Sequence, residues 1–264
     1  ATTFKGSTRI EDLGGFNFGN IGFVFVLPEE NDWNWNVGMS LNKSADYTNR
    51  STTTGESNNV SRIDMWLDNS QGYDPDDLLN AGRVHEWMAF QSYLTDSDGD
   101  FNYTTQADRE VVNSVYTVDQ QGGMNEFAIL FAAEKDNRWY FGGSLGVPFI
   151  NYKRDVVYSE RFELGDSISS FDLKEHNEIS GVGFNIKVGM QYRFNNGLRA
   201  GAAIHTPSWY TMEQSWEDAM FSRFKGGSVL EEVVETYSDP YTWKLSTPWR
   251  GLLGLSKVFG KNGF

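Results

Sequence analysis

Apolar and polar residues alternate along much of this chain. From Gly181 to Phe194 the apolar positions are Val182, Phe184, Ile186, Val188, Met190, Tyr192 and Phe194, and between them lie Gly183, Asn185, Lys187, Gly189, Gln191 and Arg193. A period of two predicts a β-strand with one apolar face. Trp33, Trp35, Val37, Met39 and Leu41 alternate with Asn34, Asn36, Gly38, Ser40 and Asn42 in the same way. Shorter runs follow at Phe127–Ala133, Trp139–Val147 and Leu198–Ile204. Phe16 and Phe18 lead into Ile21, Phe23, Phe25 and Leu27 with a one-residue change of parity, which predicts a bulge. A last run, Tyr241 to Phe259, changes parity near Pro248. About seven strands result.

Such alternation fits a half-buried strand of a soluble β-sandwich, as in an adhesin, or a strand of a membrane barrel. The polar positions favour the barrel, because they are Gly, Asn and Ser with isolated Lys or Arg, as a crowded or wet lumen requires. Aromatic residues near the run ends point the same way: Trp33 and Trp35, Trp139 and Tyr140, Tyr192 and Phe194, Tyr241 and Trp243. They suit girdles at two membrane interfaces. The connectors alternate short and long: 28–32, 135–137, 195–197 and 260–263 are short, while 45–123, 156–178 and 214–240 are long. Outer-membrane barrels have tight periplasmic turns and large extracellular loops. The expected fold is therefore all-β, an antiparallel transmembrane β-barrel of outer-membrane type. It occupies 1–264 as one partial domain, with a partly helical extracellular insertion at 45–123.

Composition sharpens this. The chain has 264 residues, no cysteine and 22 Lys+Arg against 36 Asp+Glu, a net charge of −14. The acidity argues against nucleic acid as a partner, which needs a basic face. The lack of cysteine removes disulfides, thiolate metal sites and thiol nucleophiles. Mean hydropathy is −0.50 and no apolar run is long enough for a spanning helix. Nine Trp, twelve Tyr and nineteen Phe argue against disorder. The 45–123 insertion holds fourteen acidic and four basic residues, so it carries −10 of the −14. Two short helices are predicted inside it. One is capped by Ser61 with Ile63, Trp66 and Leu67 on one face; the other presents Val84, Trp87, Met88 and Gln91, with Phe90, Tyr93 and Leu94 beside them. Their apolar faces either pack the insertion onto the barrel mouth or line a groove for a hydrophobic ligand, with Trp87 and Phe90 as its contacts. Ala1 to Lys5 lack the features of a signal peptide, and Asn262-Gly263 is a hairpin signal followed by one residue, so the chain is expected to be part of a longer protein.

Three stretches resemble the FadL family of outer-membrane channels (the FadL/TodX type). They are Trp139-Tyr140-Phe141-Gly142-Gly143-Ser144-Leu145-Gly146-Val147-Pro148, the run Gly197 to Tyr210 through His205-Thr206-Pro207-Ser208, and Leu245-Ser246-Thr247-Pro248 leading to Val258-Phe259-Gly260-Lys261. The nearest likeness is to Bacteroidetes-type members, often labelled hemin receptors. The resemblance implies a 14-stranded barrel with an N-terminal plug, passive uptake of long-chain fatty acids or aromatic hydrocarbons, and release sideways through a kinked strand. It implies outer-membrane lipid and lipopolysaccharide as surroundings and no cofactor. The family's Asn-Pro-Ala plug motif has no counterpart here, and about half of its strands are counted. Alternatives are a barrel serving as scaffold or shuttle with a secretion-system partner, and a haem-binding receptor.

No catalytic set is visible. The histidines, His85, His176 and His205, form no metal-ligand pair and no nucleophile triad, so neither an enzyme nor a metal site is expected. His205 is either a hydrogen-bonding lumen residue or a ligand or haem contact. Lys187, Arg193, Arg199 and His205 share the polar parity; they either pair with acids elsewhere in the barrel or attract a passing carboxylate, with Lys187 and Arg199 the first to test. Gly142, Gly143 and Pro148 in one strand read either as a curvature device or as the kink of a lateral opening. Asp96-Ser97-Asp98-Gly99-Asp100 lacks the EF-hand spacing and reads as a solvated acidic loop, an irregular Ca²⁺ site being the alternative.

Overall fold

The computed structural model describes residues 2–4, 7–9, 19–30, 32–164, 167–226 and 231–257. The Phe16–Phe18 parity shift and the strand end and turn at 258–263 lie outside them. About 66% of the chain is strand, and every pairing is antiparallel. β1 (Thr2–Phe4) and β2 (Ser7–Arg9) form a small separate hairpin. The main sheet begins with β3 (Asn20–Val26), β4 (Trp33–Asp46) and β5 (Asn49–Ser57), the last two lying end to end along one neighbour. Next come helices α1 (Arg62–Ser70) and α2 (Val84–Gln91) and the two-residue strands β6 (Asp96–Ser97) and β7 (Tyr103–Thr104). Three long strands make the centre: β8 (Val112–Lys135), β9 (Trp139–Phe162) and β10 (Ile168–Arg193). β11 (Leu198–His205) and β12 (Trp209–Phe224) then pair end to end with β10. β13 (Glu231–Tyr237), β14 (Tyr241–Ser246) and β15 (Arg250–Lys257) follow them back down. The result is an up-and-down meander of seven ribbons. Its outer ribbons, β3 and β13–β15, are not paired with each other, so the described residues form an open sheet and not a closed barrel.

The long strands extend well beyond the alternating segments that announce them. At about 3.3 Å per residue, 24 residues reach roughly 80 Å. Two of the expected long loops are therefore hairpins. Residues 156–178 are the ends of β9 and β10, and 214–240 are mostly β12 and β13. The expected 45–123 insertion shrinks to 58–111, since β4, β5 and β8 take up its flanks.

One face of the lower sheet, here the front, is predominantly apolar and largely exposed. It carries Val37 and Met39 on β4, Ile129 and Phe131 on β8, Leu145 and Val147 on β9, Val188 and Met190 on β10 and Leu253 on β15. At the short-turn end its aromatics touch in a continuous band. Trp33 stacks on Trp35 at 5.5 Å and on Phe141 at 6.1 Å, and Trp139 meets Tyr192 at 4.4 Å. Three expected girdle residues fall instead on the opposite, back face. Tyr140 follows Trp139 on the pleat, while Tyr241 and Trp243 sit opposite Gln214 and Met212. The reason for the last two is a double break. β11–β12 is interrupted at 206–208 and its neighbour at 247–249, each around a proline, and the faces change parity there together.

Above the level of Asn151 and Ser180 the front face becomes charged. Lys153 pairs with Glu178 at 3.1 Å, His176 with Asp155 at 2.6 Å and Arg223 with Asp172 at 2.7 Å. On the back face at this height the helical insertion packs down. Ile63 and Trp66 of α1 and Met88 and Ala89 of α2 are buried against Val112, Phe162, Phe171, Leu173 and Met220. This is the molecule's main hydrophobic core.

The insertion is pinned by a buried carboxylate. Glu160 on β9 is 1% exposed. It accepts hydrogen bonds from the Ser61 hydroxyl (2.5 Å), the Arg62 backbone N–H (2.8 Å) and the Tyr158 hydroxyl (2.5 Å). Ser61 also caps α1, with Asp64 completing a capping box. A negative charge here meets the positive end of the α1 dipole. Burial pushes the Tyr158 phenol above its ordinary range, and the hydrogen bond to Glu160 adds to this.

Candidate functional site

The sites expected from the sequence sort into two places, the back face of the lower sheet and the helical insertion. On the back face, antiparallel register sets residues of successive ribbons in horizontal rows. Ser144, Lys187, His205 and Arg250 form one row across β9, β10, β11 and β15. Arg193 and Arg199 face each other at the short-turn end, three rows below. The four expected basic residues thus share one face, though Lys187 with His205 and Arg193 with Arg199 form two separate levels.

Lys187 has a partner on its own sheet. Its Nζ lies 2.5 Å from Glu126 Oε1 on β8, two strands away. Asn185, 2% exposed, donates through Nδ2 to Glu126 Oε2 at 2.9 Å and to Ser208 Oγ at 3.0 Å. This network crosses β9 at Gly146. A Cβ there would stand 2.6 Å from Asn185 Oδ1 and about 3.0 Å from the Glu126 carboxyl carbon, so only glycine leaves the passage open. Neither Glu126 nor Asn185 was singled out from the sequence. The partners lie 61 and 59 positions apart, and the one local signal is a glycine on the polar parity of a strand.

Below the row lies an open groove of about 710 Å³, lined by Lys187 and His205 at one end and by Gly189, Gly201, Ala203 and Leu252 along its floor. Gly142 and Gly143 border it. These two glycines do not break their strand, since both keep register with β8 and β10. Gly143 makes room for the Phe131 ring, which a Cβ would meet at 2.3 Å. The interruption of the β9–β10 ladder is at Pro148, where Val147 and Pro148 are left unpaired with Phe184 and Gly183. The larger interruptions are those at 206–208 and 247–249, bridged by Thr206 Oγ1, which accepts from Ile186 N at 2.9 Å, and by Thr247 Oγ1, which accepts from Ser208 N at 2.8 Å.

In the insertion, Trp87 packs against the hydrophobic core and Phe90 meets Tyr103 edge to face at 6.1 Å. Both side chains hold the insertion together. His85 reaches from α2 to the sheet, with Nε2 3.1 Å from Asp218 Oδ2 and 3.8 Å from Glu175 Oε1. In the acidic loop, Asp98 accepts from the Asn102 side chain and from the backbone N–H groups of Asn102 and Asp100, which hold its carboxyl below the usual range. Among the described residues, no group of three or more His, Asp or Glu is placed to hold a metal ion.

No family model, no curated protein and no solved structure matches this chain.

Proposed function

We propose that this chain forms wall of an outer-membrane β-barrel of the FadL type, a channel for passive uptake of hydrophobic compounds such as long-chain fatty acids or aromatic hydrocarbons. The observation that carries the reading is the front face. Its apolar part runs from Trp33 to Leu41 on β4 and from Trp139 to Phe149 on β9, with Phe127, Ile129 and Phe131 of β8 exposed between them. The β4 and β9 segments match the roughly 9–11 residues with which a tilted strand crosses a bilayer. The belt ends in contacting tryptophans and tyrosines below and in ion pairs above, as at the two borders of a membrane. A water-facing sheet would gain nothing from a contiguous apolar surface of this size. The back face, with small and polar residues, then lines the interior, and the acidic insertion covers its outer mouth.

Entry is the test. Cells carrying the protein in their outer membrane take up hexadecanoate or toluene faster than cells lacking it, and the protein fractionates with outer-membrane lipid. A protein that stays in the aqueous fraction without detergent overturns the reading.

A further inference from the structure

We infer that the two neighbouring hairpin turns at the lower end of the sheet hold the phosphate of an anionic phospholipid, with Arg138 and Arg193 as its ligands. The inference rests on the reading above that lipid covers the front face. The first turn places its arginine firmly. Asp136 and Asn137 both have positive φ, 56° and 58°, and so form the two-residue turn whose twist matches that of its strands. The Arg193 N–H then donates to the Arg138 carbonyl at 2.9 Å, one rung beyond the last pair of β9 and β10, Trp139 with Tyr192. Arg199 lies opposite Arg193 on its other side. Three arginines thus stand in one row on adjacent ribbons. Residues opposite each other in an antiparallel ladder have Cβ atoms about 5 Å apart, and like charges so placed are destabilising. Among the described residues, none of the three guanidinium groups has a hydrogen-bond or ion-pair partner. An anion seated between them removes the repulsion, and a phosphate has enough oxygens to accept from two planar forks at once.

A cleft of about 360 Å³ lies between the two turns, lined by Arg138, Arg193, Phe194, Asn195 and Gly197, with Asp136 as the acid of the lining. The arginine row belongs to the back face, but the strands end here, so no wall separates the cleft from the front. Phe194 marks the connection. It lines the cleft and is 40% exposed, and it meets Tyr192 edge to face at 4.7 Å, while Tyr192 meets Trp139 at 4.4 Å. A head group in the cleft therefore leaves its acyl chains along the apolar belt. Lys135, opposite Trp139 and with Nζ 5.2 Å from the Trp33 ring, adds a further cation at the same border. A free phosphate ion would use the arginines and leave this apolar side bare, so the occupant is a lipid. Two arginines against the one Asp136 favour an anionic head over a zwitterionic one, whose ammonium they repel.

The experiment measures binding of dioleoylphosphatidylglycerol and dioleoylphosphatidylcholine to the full chain in detergent micelles by native mass spectrometry. The glycerol lipid binds at least about tenfold more tightly than the choline lipid, and Arg193→Gln removes about tenfold from the first while leaving the second unchanged. Arg161→Gln, at the other end of β9, removes an equal charge far from the cleft and leaves the preference intact. Arg138→Gln, read the same way, serves if Arg193→Gln does not assemble. Equal retention of the two lipids, or retention of neither, by a protein that needs detergent overturns the site and leaves the lipid-covered belt standing. So does a preference that survives both cleft substitutions or that Arg161→Gln lowers as much. Displacement of the lipid by equimolar glycerol phosphate assigns the cleft to free phosphate and overturns the lipid as its occupant. A chain that stays soluble without detergent and retains neither lipid overturns the site and the belt together.

Discussion

Replacing Glu160 with alanine loosens the 58–111 insertion from the sheet. The carboxylate is buried at the start of α1 and takes three hydrogen bonds, from Ser61, Arg62 and Tyr158. Alanine leaves a hydroxyl, a backbone N–H and a phenol without their acceptor in a dry place, and removes the charge facing the helix dipole. The expected cost is about 3 kcal/mol of docking free energy, or roughly a hundredfold loss of amide protection in α1. Hydrogen exchange reads it directly. The signal is confined to the insertion and the upper ends of β8–β10, β12 and β13, because the lower sheet does not touch this core. Glu160→Gln is milder, about 1 kcal/mol, since one oxygen still serves Arg62 and Tyr158 while the amide nitrogen meets the Ser61 hydroxyl. Unchanged protection in the alanine variant contradicts the anchoring role.

Placing a charge in the middle of the front face has the second large effect. Ile129 lies between Met39 and Leu145 in register and is 48% exposed. If lipid covers this face, Ile129→Arg costs about 2–4 kcal/mol at the bilayer midplane. If water covers it, the same change stays within about 0.5 kcal/mol. Ser159→Arg is the internal control. It lies on the same face but above the belt, opposite Asp172, and stays near neutral under either reading. Denaturant unfolding from short-chain phosphatidylcholine bilayers, followed by tryptophan fluorescence, separates the cases. Equal stability of the Ile129→Arg and Ser159→Arg proteins contradicts a lipid-facing belt.

The sequence discloses the lower sheet well and the upper sheet poorly, for one physical reason. In the belt segment of β10 one face is apolar at every position, so Val182 to Phe194 announces its strand by parity alone. Higher up both faces carry polar groups. Lys174-Glu175-His176-Asn177 has no apolar period, yet it is central strand, because its front face is covered by ion pairs and its back face meets α2 through His85. The amphipathic faces of α1 and α2 are legible; the surface they pack against is not, since Phe171 and Leu173 belong to a segment that reads as loop. Glu160 hides in the polar triplet Ser159-Glu160-Arg161, although its parity with Tyr158 and Phe162 sets it on the buried face. Arg250 is hidden by the paired breaks around Pro207 and Pro248, which change the parity of two neighbouring ribbons together. The basic residues of the back face are visible as a set, while the acid that neutralises Lys187 depends on a contact across Gly146 that no local pattern reveals.

The central claim is that the front of the lower sheet faces lipid and the back does not. The chain has no cysteine, so single cysteines can be introduced on a clean background. One is placed in turn at each position from 186 to 191 of β10, labelled with an environment-sensitive fluorophore and reconstituted in vesicles containing nitroxide-labelled lipid. The account predicts a strict period of two: strong quenching at 186, 188 and 190, and weak quenching at 187, 189 and 191. Quenching without parity, or front-face positions as open to water-soluble quenchers as Ser159, would contradict it.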